Sequence, residues 1–179
     1  MRIRFRDGDE LLSAVEAGAG IDNDEPVDLL QHALQCAALL ERRVPGDLEL
    51  HVAGLVHDVG TFVAPGQPEH HANIGAAAVR GILGSRVARL IRLHDQAKRY
   101  LVTTDPHYRH RLSPRSLETL RLQGGLLDPT ERAALQREPD LEACLALRRA
   151  DDAAKVPSVA VAGVAHWRGV LDTLARSAA

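Results

Sequence analysis

The sequence contains few aromatic residues, since Phe, Trp and Tyr make up only 3% of its 179 positions. A core with so few large rings must be built from Ala, Leu, Val and Ile, which favour closely packed helices. A surplus of charge of one sign is also lacking, because 22 basic and 24 acidic residues give a net charge of -2. No long-range field would attract nucleic acid or an anionic membrane, and we therefore expect a small-molecule partner.

Cysteine and long apolar segments are scarce as well. Cys36 and Cys144 lie in separate apolar contexts without a CxxC spacing, which favours a reducing compartment over a disulfide framework. We interpret both as small core residues. No stretch of about 18 residues is free of charge, and the opening segment "MRIRFRDGDELLSAVEAG" lacks the apolar run of a signal peptide. The expected location is the cytoplasm, with no membrane association.

Turn residues divide the chain into segments with helical periodicity. Asp, Ser and Pro supply helix starts, as in Ser113-Pro114, and Gly supplies helix ends, as in Gly84-Ser85 and Gly124-Gly125. No convincing strand and no internal repeat is found, so we predict a single all-α domain. The predicted helices cover about 26–43, 48–59, 70–83, 86–100, 114–122, 129–137, 139–155 and 158–176.

Six polar residues interrupt helices that are otherwise suited to packing. The adjacent pair His57-Asp58 ends the most apolar segment, where an unpaired carboxylate would be strongly unfavourable without a cation or hydrogen bonds. Any single histidine is most often an ordinary surface or core residue, but four imidazoles and two carboxylates on separate helices suit a dinuclear site. Mixed nitrogen and oxygen donors suit iron, manganese or zinc. The other four residues are His32, His71, His94 and Asp151.

The ordered set of these residues resembles the HD-domain superfamily, whose members are helical metalloproteins and in many cases phosphohydrolases. The stretches "RLHDQAKRYL", "RLSPRSLETLRLQGG" and "LRRADDAAKVP" are more specific. They resemble the mixed-valent diiron phosphonate oxygenases of that superfamily and, more distantly, myo-inositol oxygenase. The similarity covers roughly residues 24–157, which leaves 1–23 as an N-terminal extension and 158–176 as a C-terminal helix. The resemblance implies an HD-domain helical bundle with a dinuclear metal site in its core.

The resemblance also implies two iron ions, Fe(II)/Fe(III), with O2 as co-substrate. Asp58 would bridge the two ions, and Asp58, His71 and His94 would have the catalytic role. The second iron would take His71 and His94. The first iron would take His32, His57, Asp58 and Asp151.

Two positions in this set have a neighbouring alternative. We prefer His71 to His70 because the family pattern HxxxGA places its ligand four residues before a glycine, here Gly75. We prefer Asp151 to Asp152 because the family aspartate stands one helical turn before a lysine. Asp152 is then a candidate to hold the ligands in place through a hydrogen bond.

Residues that would bind substrate follow from the same resemblance. Lys98, Ser116 and Arg148 match the residues that hold the phosphonate, and two cations beside a hydroxyl would bind a dianion well. Glu25 matches a glutamate that receives the amino or ammonium group of the substrate. The alternatives are solvated helix faces for the two cations and, for Glu25, a helix N-terminal residue favoured by the macrodipole.

The chain departs from this family at two substrate-binding positions. The family commonly has HDxGH, whereas this chain has Thr61 in place of the final histidine. Asp22 stands where a gating tyrosine is expected. The Thr61 departure would alter the binding or the selectivity of the substrate. At Asp22, either the alignment with the family slips in this loop or the gate is a carboxylate.

The resulting functional hypothesis is an oxygenase. It would cleave the carbon-phosphorus bond of a small 1-hydroxy-(2-amino or 2-ammonio)alkylphosphonate with O2 and release phosphate. The alternative is an ordinary metal-dependent HD phosphohydrolase that acts on a small phosphate ester or nucleotide. A binding domain without activity is disfavoured because competent residues occupy all six ligand positions. The oligomeric state does not follow from the sequence.

Overall fold

The computed structural model describes residues 4–178, and within this range every regular element is a helix. The all-α prediction is therefore confirmed. The elements are α1 (Gly8–Glu16), α2 (Leu29–Arg43), α3 (Leu48–Val56), α4 (Val59–Val63), α5 (His71–Thr104), a 3-10 turn (Tyr108–Arg111), α6 (Pro114–Leu122), α7 (Pro129–Leu135), α8 (Leu141–Ala153) and α9 (Val164–Ala178).

Side-chain caps fix the starts of several helices. Asp28, Asp47 and Ser113 each accept a hydrogen bond from the backbone N–H three residues further on, at the starts of α2, α3 and α6. Asp128 and Glu131 form a reciprocal capping box at the start of α7. Each such cap typically contributes about 1 kcal/mol, because it satisfies a backbone donor that the helix leaves free.

The centre of the bundle consists of α2, α3, α5 and α8. Helix α2 packs against α3 and α8, and α5 packs against the same two helices from its own side. The N-terminal α1 and the C-terminal α9 pack against each other, and α9 buries Trp167 and Leu171 completely. Cys36 and Cys144 are also fully buried and unpaired, in agreement with their interpretation as core residues.

Helix α5 contains a break at the position that the sequence predicts. Gly84 has φ 83° and ψ 179°, which lies outside the helical region and favours glycine strongly. The segments on either side are regular helix and run in different directions. The two predicted helices separated by Gly84-Ser85 are therefore confirmed.

Other helix boundaries differ from the predictions. Helix α2 begins at Leu29 and not at residue 26, because Asp28 supplies the cap while Asp24 adopts a left-handed φ of 60°. The last helix begins at Val164 and not at residue 158, and Ser158 has a left-handed φ of 62°. Helices α1 and α4 and the 3-10 turn were not predicted, because elements this short depend on tertiary contacts more than on local pattern.

None of the helices within residues 4–178 combines the length and the apolar character that a membrane crossing needs. The division into an N-terminal extension (1–23), a core (24–157) and a C-terminal helix remains a prediction.

Candidate dinuclear metal site

Three of the predicted ligands form one buried cluster. His32 lies in α2, His57 follows α3, and Asp151 lies in α8. Each offers one ligand atom, and these atoms all lie within 4.8 Å of one another. His32 Nε2 is 3.3 Å from His57 Nε2 and 3.4 Å from Asp151 Oδ1. Such spacings suit one metal ion with nitrogen and oxygen donors about 2.0–2.2 Å away.

The other three predicted ligands form a second cluster beside the first. Asp58, His71 and His94 also offer donor atoms within 4.8 Å of one another. His71 Nε2 is 3.1 Å from His94 Nε2 and 3.4 Å from Asp58 Oδ1. The structure therefore brings all six residues together in two groups of three.

Asp58 connects the two clusters. Its Oδ1 faces His71, whereas its Oδ2 lies 3.3 Å from His57 Nε2 and 3.6 Å from His32 Nε2. A carboxylate with one oxygen toward each group has the arrangement of a bridging ligand.

The four imidazoles share one hydrogen-bonding pattern. The Nδ1 atom of each ring lies within hydrogen-bond distance of a backbone carbonyl oxygen, which can only accept, so Nδ1 carries the proton and donates it. The Nε2 atom of each neutral ring then carries a free lone pair that points into a cluster. Carbonyl groups orient metal-binding histidines in this way. The carbonyl acceptors of His32, His57, His71 and His94 are, in that order, Ala154 (2.9 Å), Gly54 (2.9 Å), Pro68 (2.6 Å) and Ile91 (2.6 Å).

The carboxylates of the site favour positive charge on their neighbours. Burial by itself would lower the pKa of His57, but the charges of Asp58 and Asp151 outweigh it and raise the pKa to about 9. Burial would also lower the pKa of His71, but the charges of Asp58 and Asp95 outweigh this effect and raise the pKa to about 9. Metal ions would replace the protons that these imidazoles otherwise attract.

Two other pKa values of the site are lowered, for different reasons. Burial lowers the pKa of His94 to about 4, despite the opposing charge of Asp95. Burial would raise the pKa of Asp58, yet the neighbouring His57 and His71 hold it well below its usual range. The donor set as a whole fits two ions of the iron, manganese or zinc class.

A cavity of about 130 Å³ opens onto both clusters. Asp58, His71 and Asp151 form part of its wall, so a molecule in the cavity would touch both groups of ligands. Lys98 also lines it and is only 2% exposed. A cavity of about 150 Å³ admits benzene, so this one suits a small molecule.

Lys98 is a buried cation without a carboxylate partner. Its Nζ donates a hydrogen bond to Thr119 Oγ1 at 2.8 Å, and among residues 4–178 it forms no ion pair within 4.0 Å. Burial, followed by the charge of Arg148, lowers the pKa of Lys98 to about 8. A bound anion would supply the missing counter-charge.

Arg148 differs from Lys98 because its charge is already compensated. The guanidinium donates to Asp151 Oδ2 at 2.7 Å through Nη1, and Nε and Nη2 donate to Asp152. Its Nη2 lies 3.5 Å from Ser116 Oγ, and Ser116 lines the cavity. Arg148 itself lies outside the lining of this cavity, where its contacts fix the orientation of Asp151.

Of the other three predicted substrate residues, two line the cavity and one does not. Glu25 and Thr61 line the cavity, although Thr61 Oγ1 also donates to the carbonyl oxygen of Asp58 at 2.7 Å. Asp22 is exposed and accepts a hydrogen bond from the backbone N–H of Asp24 at 2.9 Å. It lies outside the lining that the described residues form.

The structure distinguishes the neighbouring alternatives geometrically. His71 lies in the second cluster, whereas the side chain of His70 is 60% exposed and lies beside Glu69. Asp151 lies in the first cluster, whereas Asp152 accepts hydrogen bonds from Arg148 and from the hydroxyl of Tyr108.

Among the residues that line the cavity, Asp95 and Lys155 were missed as functional candidates. Asp95 is buried, lines the cavity and has an oxygen 3.5 Å from His94 Nε2. It follows His94 as Asp58 follows His57, and this repeated His-Asp pair could have revealed it. Lys155 also lines the cavity, although its spacing in the sequence served only to distinguish Asp151 from Asp152.

Comparison with known proteins gives the class of the chain. A family model described as "HD domain" matches residues 29–154, so the chain belongs to the HD-domain family. The chain is 34% identical over 139 residues to a [1-hydroxy-2-(trimethylamino)ethyl]phosphonate dioxygenase (glycine-betaine-forming) of Leisingera caerulea, covering 73% of this chain and 70% of that protein. It is 36% identical over 147 residues to the hydroxymethylphosphonate dioxygenase of Gimesia maris, covering 77% and 73%. An uncharacterized protein of Acanthamoeba polyphaga mimivirus is 26% identical over 152 residues, covering 79% and 69%.

These findings confirm the resemblance stated from the sequence. Both named relatives are called phosphonate dioxygenases, which agrees with the oxygen-using branch indicated by the motifs around His94, Ser116 and Asp151.

Proposed function

We propose that this protein is a dioxygenase that cleaves the carbon-phosphorus bond of a small 1-hydroxyphosphonate and releases phosphate. The observation that carries the proposal is the cavity in which the two ligand clusters, joined by Asp58, meet the unpaired cation Lys98. The names of the two relatives support the same reaction class. A 2-amino or 2-ammonio substituent on the substrate remains an expectation that depends on Glu25.

The proposed cofactors are two iron ions, Fe(II)/Fe(III), with O2 as co-substrate. His32, His57 and Asp151 would hold one ion, His71 and His94 would hold the other, and Asp58 would bridge them. When bound, such a pair supplies one-electron chemistry toward O2 and Lewis acidity toward the oxygens of the substrate.

The chain itself supplies binding, orientation and exclusion of water. Lys98 would donate charge-assisted hydrogen bonds to the phosphonate, and Ser116 Oγ would donate another from the neighbouring wall. Arg148 would act mainly through Asp151, which it holds in place. The small volume of the cavity limits the water that accompanies a bound substrate, and this strengthens each electrostatic contact.

The overall reaction balances without any further reductant. A 1-hydroxyphosphonate and O2 give a carboxylate, phosphate and one proton. The carbon-phosphorus bond breaks, the hydroxyl-bearing carbon is oxidised to the carboxylate level, and both oxygen atoms of O2 appear in the products.

A phosphohydrolase of the ordinary HD type would use the same ligands with a phosphate ester. The cavity of about 130 Å³ argues against a nucleotide, which is much larger than benzene. A small phosphate ester would still fit, so the decisive difference is the need for O2.

The test is turnover by protein purified without oxygen and reconstituted with iron. We expect phosphate release from hydroxymethylphosphonate or its 2-ammonio analogue to match O2 consumption and to stop without O2. Lys98→Met is the matched variant, because it should keep the metals and weaken phosphonate binding. Release of phosphate from a phosphate ester without O2, and none from any phosphonate, would overturn the proposal.

We propose a small organophosphonate as the partner and the cytoplasm as the location. The two buried free thiols, Cys36 and Cys144, are typical of a reducing compartment. We expect no nucleic acid or membrane partner.

A further inference from the structure

The carboxylate of Glu25 is already engaged by a cation of the protein. Glu25 Oε1 accepts hydrogen bonds from Lys155 Nζ and from Ser113 Oγ, both at 2.6 Å. Lys155 Nζ also lies 3.2 Å from Ser113 Oγ and 3.2 Å from Ser116 Oγ. The ammonium group therefore has three oxygen partners, and the negative charge of Glu25 is neutralised where it stands.

Water does little to weaken this ion pair. The side chains of Lys155 and Glu25 are only 13% and 7% exposed. Removing one member of a buried pair leaves an uncompensated charge, which is strongly unfavourable until another ion replaces it.

The pair belongs to the wall of the candidate active site. Glu25, Lys155 and Ser116 all line the cavity that opens onto the two clusters. Lys98 lines the same cavity but forms no hydrogen bond or ion pair with Glu25, so the two lysines have different electrostatic environments. A substrate ammonium group that approaches Glu25 would therefore meet a carboxylate whose charge Lys155 already offsets.

We infer that Lys155 sets the selectivity of the site between substrates with and without an ammonium group. The inference rests on the proposed function, because it concerns the class of phosphonate that the same cavity accepts. With Lys155 in place, Glu25 offers a neutral pair. Without the positive charge of Lys155, Glu25 is a buried anion that gains a partner when an ammonium group binds.

The names of the two relatives define the compounds for the test. The name of the Leisingera caerulea relative contains a phosphonate with a trimethylamino substituent. The name of the Gimesia maris relative contains hydroxymethylphosphonate, which has no such substituent. We define the selectivity ratio as the affinity for [1-hydroxy-2-(trimethylamino)ethyl]phosphonate divided by the affinity for hydroxymethylphosphonate. Calorimetric titration without O2 measures both affinities on metal-loaded protein and does not depend on turnover.

Lys155→Met should raise the selectivity ratio by about tenfold or more, the scale of one charged hydrogen bond gained by the ammonium compound. Lys98→Met is the matched control. It removes a buried lysine from the same cavity by the same substitution. It should weaken the binding of both compounds equally and leave the selectivity ratio nearly unchanged. Glu25→Gln should lower the ratio, because Lys155 then repels the ammonium group without a counter-charge.

Melting curves and metal content establish that each variant is folded and loaded. If Lys155→Met does not fold, Lys155→Gln removes the charge while keeping a hydrogen-bond donor for the two serines, and it should also raise the ratio. An unchanged or lower ratio in the folded variant would overturn the inference, as would failure of the wild type to bind either phosphonate. Binding with the expected ratios but without O2-dependent turnover would refute the proposed reaction alone.

Discussion

His71 and His94 are separated by 23 residues of α5, yet their Nε2 atoms lie 3.1 Å apart. At 1.5 Å per residue, a straight helix would hold these positions about 35 Å apart. The break at Gly84 lies between them and lets the second part of α5 return toward the first. The backbone conformation of one glycine therefore places both histidines in the same cluster.

Replacement of Gly84 should destabilise the protein and weaken the second metal position. A Cβ is strongly disfavoured at φ 83° and ψ 179°, and residues forced into such regions cost about 1–3 kcal/mol. Gly84→Ala should lower the melting temperature and release metal more readily.

Gly81→Ala is the control for Gly84→Ala. Gly81 lies in the same helix, and a Cβ there would meet nothing within 4 Å. The free energy of unfolding of this variant should be about 0.5–1 kcal/mol higher, because alanine is the better helix former. Equal effects of the two substitutions would contradict the role given to Gly84.

Removal of the bridging carboxylate should affect both metal positions, whereas removal of one histidine should affect one. Elemental analysis should find about two metal ions per chain in the wild type, about one in His94→Ala and less than one in Asp58→Ala. Chelation should lower the melting temperature of the wild type, because the ions bind only the folded arrangement. Two tightly held ions in Asp58→Ala would falsify the bridging assignment.

The neighbouring histidines His70 and His71 should respond very differently to substitution. His70→Ala should keep its metals and change stability by less than about 0.5 kcal/mol, because the His70 side chain is 60% exposed. His71→Ala removes a donor from the second cluster and should lose one metal. Metal analysis of both variants decides the point, and loss of metal in His70→Ala alone would show that the register is displaced by one residue.

Phosphonate binding should weaken as the pH rises through the pKa of Lys98. That pKa is lowered to about 8, first by burial and then by Arg148, with Asp95, Asp151 and Asp58 opposing. Lys98 is therefore a cation below pH 8 and loses its charge above it. Titrations from pH about 7 to about 9 should show a progressive loss of affinity.

Lys98→Arg provides the comparison for this pH dependence. An arginine stays charged across the whole range, so the loss of affinity near pH 8 should disappear in the variant. A wild-type profile that does not change across this range would show that Lys98 makes no charged contact with the phosphonate.

Much of the site could be predicted because its residues stand out locally. A His-Asp pair such as His57-Asp58 at the end of an apolar helix conflicts with simple packing, and this conflict marks it as functional. The helix break at Gly84 was likewise visible in the sequence, because glycine interrupts an otherwise periodic segment.

The remaining features depend on contacts between distant parts of the chain. Glu25 and Lys155 are 130 residues apart, and no local pattern indicates that one neutralises the other. The compensation of Arg148 by Asp152 was missed for a different reason. These residues are one helical turn apart, but the sequence does not show in which direction the Arg148 side chain points. Helix α9 starts at Val164, and Ser158 has a non-helical backbone. The apolar residues between these two positions gave no sign of this in the sequence.

The two clusters differ in the length of chain that must close around each of them. Asp58, His71 and His94 lie within a stretch of 37 positions, 58–94, whereas the first cluster requires α2 to meet α8, with His32 Nδ1 bonded to a carbonyl 122 residues away. Contacts between distant residues form more slowly, because a longer loop must close first. We therefore expect amides of α5 to gain protection from hydrogen exchange before those of α2 and α8 during refolding. The connectivity of the chain would then set the order in which the two ions are acquired, the second cluster before the first.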